Sequence, residues 1–209
     1  MPRAAIAPPP PRRTQEERSA TTRARLLDAA VACLVELGYG GTTTTVVAER
    51  AGVSRGAQLH HFGTRAQLIG AAVQHVFQAL TDGYRAGFAA IPAGADRVDA
   101  AVDLLWTMYL KPRHLAALDL YLAARTDAEL RAALAPVAAR HRDNVLALAR
   151  GYFPAAAAKH GARFTALLDL ILDTMLGMAV ARGLYGERPS EQAVLDEIRR
   201  LARELVTGR

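Results

Sequence analysis

Residues Thr42–Leu68 read TTTTVVAERAGVSRGAQLHHFGTRAQL, and the spacing of helix caps within this stretch decides the fold. Four consecutive threonines look like strand material by propensity. The run Val46-Val47-Ala48-Glu49-Arg50-Ala51 that follows reads instead as a short helix over about Thr44 to Ala51, with Thr43 as its N-cap. Gly52 stands where a left-handed residue would end that helix. Ser54 then caps a second short helix reaching about His61, and Thr64 with Gln67 forms a Thr-x-x-Gln capping box for a longer third one. Two short helices separated by a glycine-containing turn have the spacing of a helix-turn-helix.

Outward from this stretch the pattern stays helical. Leu27, Ala30, Val31 and Leu34 fall at i, i+3, i+4 and i+7, and Gly38 is placed to end their helix, which begins near Arg18. After Thr64, Leu68, Ala72, Val76, Leu80, Tyr84 and Phe88 recur every four residues, and Ile91-Pro92 ends that run. Further helices are expected from about Asp96 to Leu110 and from Arg113 to Arg125. Another starts near Asp127, opened by a Thr126/Glu129 capping box, bent or split by Pro136, and ends near Tyr152. Phe164, Leu167, Leu168, Ile171, Leu172, Met175, Leu176 and Ala179 cover most of one helix's circumference, so that helix is buried on more than one side. Ser190 caps the last helix, whose Val194, Ile198, Leu201 and Leu205 make a narrow stripe. No segment alternates at period two. The expected fold class is all-α.

Composition narrows the function. Of 209 residues, 51% are hydrophobic and 22% charged, a mix that folds without help from disulfides. Cys33 is the only cysteine, on the apolar face of the first helix; a core thiol in a reducing compartment is expected, hence a cytoplasmic protein. The N-terminus has no apolar signal-peptide core, and the most apolar stretch, Leu167–Tyr185, is interrupted by Asp169, Asp173 and Arg182, so no membrane partner is expected. The net charge of +6 is concentrated at the start: the first 25 residues carry six arginines against two glutamates. Residues 1–17, with the Pro8–Pro11 run, read as a disordered basic arm. A basic excess beside the helix-turn-helix favours an anionic partner. His60 and His61 are adjacent, so their side chains diverge by about 100° on a helix, and the i, i+4 histidine pair of a helical zinc site is missing. No metal and no cofactor is expected. No Gly-rich phosphate loop or Gly-x-Ser-x-Gly elbow is present, so an enzyme is not expected.

The segment from Gly38-Tyr39 through Thr42-Thr43, Val47-Ala48, Ala51-Gly52-Val53-Ser54-Arg55-Gly56 and His61-Phe62 to Arg65 and Leu68 resembles the DNA-binding domain of the TetR/AcrR family of bacterial regulators. The likeness covers about residues 20–70. It implies an N-terminal three-helix DNA-binding domain (18–64) and a C-terminal helical ligand-binding and dimerisation domain (65–209). It further implies a homodimer on double-stranded DNA with a palindromic operator, and a small-molecule effector that releases it. On that footing Ser54, Arg55, Gly56, Ala57, Gln58, His60 and His61 are expected at the groove, with Thr43, Thr44 and Arg65 on phosphates. Arg55 can meet a phosphate or a guanine, Ala57 a thymine methyl and Gln58 an adenine. The family usually has an aliphatic residue at the position of Gln58 and a tyrosine at that of Leu59. Here the apolar residue is displaced by one, so Gln58 either reads bases or packs, and Leu59 is expected to pack on Phe62, three residues on.

In the C-terminal part, Phe88, Trp106, Tyr109, Tyr121, Met175 and Met178 are candidates for a ligand pocket, since pockets between helices are mainly apolar and aromatic. The resemblance implies dimerisation through the last two helices, with Leu168, Ile171, Leu172, Met175, Val194, Ile198, Leu201 and Leu205 as candidates. Asp169 and Asp173, at i and i+4, share a face. They either form a wet stripe, pair with Arg182 or a partner's arginine, or attract a cationic ligand. The reading that competes with a regulator is a helical ligand-binding or scaffold protein whose helix-turn-helix does not act on DNA.

Overall fold

The computed structural model describes residues 14–92 and 96–208, and every described element is helical. Most of the expected basic arm lies outside these residues. Its last part is already helix: Thr14 accepts from the Glu17 amide while its own amide donates to Glu17, and this capping box opens α1 (Gln15–Gly41). Helix formation therefore starts three residues before Arg18. Gly38, at φ 65°, interrupts α1 where the sequence places its end, and one further turn carries the chain to Gly41. α2 (Thr44–Ala51) and α3 (Arg55–His61) are capped by Thr43 and Ser54 as expected. Gly52 between them has φ 60° and ψ 42°, a left-handed conformation that costs a side-chain-bearing residue roughly 1 kcal/mol or more.

α4 (Arg65–Ala89) is the spine of the molecule. A spacing of four residues advances about 40° round a helix at each step. The Leu68-to-Phe88 row therefore winds, and Ile69, Val73, Phe77 and Thr81 beside it complete a wide buried face. One side of α4 packs on α1 and on α6 (Pro112–Ala123), and the other packs on α7 (Ala128–Tyr152). α4 and α7 meet closely at Gly70, where an added Cβ would lie 3.2 Å from the Ala133 Cβ. α7 is capped by Asp127, which accepts from the Leu130 amide at 2.9 Å, and not by Thr126 as the sequence suggests. Pro136 is accommodated within the continuous α7. α5 (Arg97–Tyr109) is capped by Asp96. α8 (Pro154–Tyr185) breaks regularity at Gly161 and packs with α5, α7 and α9 (Glu191–Thr207). One apolar core runs from Leu26 on α1 to Ile198 on α9, so the helix-turn-helix and the C-terminal helices share their interior.

Two histidines are built into that interior. His141 on α7 stacks on Phe77 of α4 with ring centroids 4.0 Å apart, and the His114 Nδ1 faces the Met108 carbonyl at 3.3 Å. Burial pushes both imidazoles down to about 4. In the unfolded chain they titrate near 6.5, so between these values the unfolded state binds more protons than the native state. Stability is then free of this penalty above pH 6.5 and falls as pH drops toward 4. The loss is on the order of 3 kcal/mol at most for each imidazole. Urea denaturation of the wild type at pH 7 and pH 4.5 should show this decline. His141→Phe, which keeps the stack on Phe77, should show a smaller one; an equal decline in both would refute the assignment.

Candidate nucleic-acid interface

The turn between α2 and α3 is fixed by its own backbone. Gly52 donates to the Glu49 carbonyl and Val53 to the Ala48 carbonyl, both at 3.0 Å, while Arg25 of α1 reaches the Gly52 carbonyl. This turn presents α3 with one side on the core and one side free. Ser54, Arg55, Gly56 and His60 are exposed, Ala57 and His61 half-buried. Thr43 is exposed and Thr44 half-buried at the start of α2. Desolvation lowers the pKa of His61, with His60 and Arg23 adding to the effect. The rings of His60 and His61 stand at 69° to one another, and no group of three metal-ligating side chains occurs among the described residues.

Gln58 and Leu59 take roles opposite to those expected of a base reader and a packing residue. Gln58 is 1% exposed, and its side-chain amide donates to the Phe62 carbonyl at 3.0 Å. It therefore does not present a base-reading edge. Leu59 is 51% exposed on the free side of α3, away from the packing role expected of it. Phe62 is instead buried beside Arg23, whose guanidinium lies 5.4 Å from the ring centroid. Leu59 is the site residue that sequence reasoning missed. The signal was present, because one position of displacement on a helix exchanges the two faces.

Arg65 also departs from its expected place on phosphate. Its Nε donates to the Thr42 carbonyl at 2.8 Å, its Nη2 donates to the Tyr39 carbonyl, and its guanidinium lies 4.0 Å from the Tyr39 ring centroid. The Tyr39 hydroxyl in turn donates to Asp127, the cap of α7, at 2.7 Å. Arg65 thus clamps the α1–α2 turn to the first residue of α4.

The ligand candidates separate into three groups. Tyr109 and Tyr121 line a cavity of about 470 Å³ among α4, α5, α6, α7 and α8, together with Tyr84, His114, His141 and Arg142, which were not anticipated. Phe88 lines a small apolar pocket of about 70 Å³ between α5, α8 and α9. Trp106, Met175 and Met178 are packed into the core and line neither space, which corrects their assignment. Asp169 pairs with Arg142 on α7; Arg182 pairs with Glu187 and Glu191.

The dimer candidates are corrected in the same way. Met175 and Leu205 are buried within one chain, Leu168 and Leu172 line its internal spaces, and Ile171 and Ile198, though buried, form the floor of a groove between α8 and α9. Val194 and Leu201 do lie at the surface, along this apolar groove, which Leu170, Thr174 and Ala193 also line. Leu170 is 54% exposed, and Leu184 and Tyr185 extend the same outer side. By length and composition α8 could cross a membrane, yet it packs on α5, α6, α7 and α9 and carries paired charges.

A protruding helix-turn-helix resting on a helical body with an internal cavity defines a DNA-binding regulator. Known proteins share this arrangement. Residues 26–72 match the bacterial regulatory proteins, tetR family. An uncharacterised HTH-type transcriptional regulator of Mycobacterium tuberculosis is 29% identical over 171 residues, 82% of this chain and 87% of that protein. The HTH-type transcriptional regulator CymR of Pseudomonas putida is 34% identical over 121 residues, 58% of this chain and 60% of CymR. Among solved structures, the multidrug binding protein EbrR complexed with ethidium superposes with a TM-score of 0.64 at 27% identity, covering 86% of this chain and 98% of that one. The chain is a DNA-binding transcriptional regulator whose residues 26–72 carry the helix-turn-helix pattern of the bacterial tetR regulators, and most of its length is similar to HTH-type regulators.

The Arg65 clamp yields a direct test. Arg65→Met should lower the free energy of unfolding by about 2–3 kcal/mol, because the Tyr39 and Thr42 carbonyls lose a charged donor. Urea denaturation measures it; an unchanged midpoint would return Arg65 to the phosphate role.

Proposed function

We propose that this protein is a homodimeric repressor, held on a palindromic operator and released when a small apolar or amphipathic molecule enters the C-terminal domain. Residues 18–64 serve DNA binding, and residues 65–209 serve effector binding and dimerisation. The observation that carries this reading is the free side of α3, where Arg55, Gly56, Leu59 and His60 are exposed while Gln58 anchors the opposite side. Arg55 meets phosphate or guanine, Leu59 and Ala57 meet thymine methyls or sugars, and Thr43, Thr44, Ser54, His60 and His61 supply polar contacts to the backbone or base edges. The protein acts in the cytoplasm, on DNA, and performs no catalysis.

Dimerisation follows from the outer side of α8 and α9. A second copy laid across the groove at Leu170, Thr174, Val194 and Leu201 removes exposed apolar surface that a monomer rarely keeps. Two-fold symmetry then presents two α3 helices to half-sites one helical turn or more apart. Tyr84 on α4 lines the larger cavity, and the first residue of the same helix holds the α1–α2 turn. A ligand that shifts α4 therefore moves the reading helix, and it needs to prefer the released conformation by about 1–3 kcal/mol. EbrR, of the same fold, is known with ethidium bound, which supports a ligand-responsive body.

Selection of duplexes from a random pool, followed by fluorescence anisotropy across a salt series, tests the DNA reading. Binding should weaken steeply with salt. Arg55→Ala should weaken it for every sequence and make the log–log salt slope shallower by about 1. Absence of salt-sensitive attachment to any duplex would refute it. For the dimer, the double variant Leu170→Asp/Leu201→Asp should sediment as a monomer with its helical circular dichroism retained. A variant that still sediments as a dimer would remove the groove from the interface.

A further inference from the structure

The larger cavity is lined by polar groups that the fold leaves free to take a ligand. Tyr84, Tyr109 and Tyr121 line it, and their phenols, each able to donate and to accept, are not among the buried polar atoms left without a partner. His114 faces a carbonyl with Nδ1, which therefore carries the proton, so its Nε2 is left as an acceptor. The Nδ1 of His141 is buried with no partner at all. Burial keeps both imidazoles neutral at pH 7.

Charge at the mouth points the same way. Arg142 is the only lysine or arginine among the lining residues, and Asp169 engages it through both carboxylate oxygens. Asp173, the second acid of the lining, forms no ion pair within 4 Å among the described residues, although Arg142 feels its charge. It lies close enough to Tyr109 to contribute to the raised pKa of that phenol, after burial itself and the neighbouring Tyr84 and Tyr121. The lining thus holds two carboxylates against one guanidinium, with three tyrosine rings, a kind of lining that favours positive charge.

We propose that the effector is a protonated organic amine, its apolar or aromatic body among Tyr84, Tyr109 and Tyr121 and its N–H-bearing cationic head at Asp173. This rests on the reading of the cavity as the effector site and adds its chemistry. A carboxylate ligand would be repelled by Asp173, a neutral alcohol would gain no charge attraction there, and a quaternary ammonium would offer no hydrogen to the carboxylate.

Isothermal titration calorimetry on the intact protein at pH 7 tests it with four matched probes: biphenyl-4-ylmethylamine, biphenyl-4-ylmethanol, biphenyl-4-carboxylate and the N,N,N-trimethyl derivative of the amine. The amine should bind tightest, about tenfold more tightly than the alcohol. Asp173→Asn should remove about that factor for the amine and leave the alcohol within about twofold. Because Asp173 is exposed, this variant should fold, and circular dichroism checks it. Ala138→Trp, which fills the cavity, should abolish binding of every probe. If the alcohol or the carboxylate binds as well as the amine and Ala138→Trp still blocks it, the amine proposal falls while the effector site stands. If Ala138→Trp leaves the binding untouched, both fall. If no probe binds, the amine proposal falls, and the site is then judged by operator release alone.

Discussion

Arg65 ties the turn before α2 to the start of α4, within a core that the helix-turn-helix and the C-terminal helices share. Its guanidinium satisfies the carbonyls of Tyr39 and Thr42, which close the turn before α2, and it lies against the Tyr39 ring. Tyr39 passes the connection on to Asp127, and Asp127 caps the helix that forms one wall of the cavity. The position of the reading helix is therefore tied to α4 by a cation and to α7 by a phenol. An arginine suits this place because its planar fork serves two carbonyls and an aromatic face at once, which a lysine's point charge does not.

The same economy governs α3. A seven-residue helix has too few positions to bury a full apolar face, and here one of its inward positions is Gln58. The amide is tolerated because it caps the Phe62 carbonyl, which otherwise ends the helix without a partner. Leu59, turned outward by 100°, then stands where a polar contact is more usual, and the reading surface gains an apolar element beside Arg55 and His60.

α8 shows how one apolar helix serves three environments. Ile171, Met175 and Met178 face the core; Asp169, Leu172, Asp173 and Leu176 face the cavity; Leu170, Thr174 and Leu184 face outward. The two aspartates are compatible with an otherwise apolar helix because they sit at the cavity's mouth, one of them neutralised by Arg142. Charge there is partly solvated, so neither acid bears the full cost of burial.

Much of the fold was legible along the chain. The caps at Thr43, Ser54 and Thr64, the left-handed Gly52 and the four-residue row of α4 are local matters, settled by backbone hydrogen bonding and helical period within a few residues. What the chain could not reveal by itself was orientation. Whether Gln58 or Leu59 turns inward and which stripe of α8 remains exposed depend on the neighbouring helices, and whether Arg65 meets a phosphate or two carbonyls depends on partners 23 and 26 residues away. The cavity is of the same kind, since Tyr84, Tyr109, Tyr121, His114 and His141 come from four separate helices. Periodicity states that a helix has an apolar face; only the packing of neighbouring helices decides what that face meets.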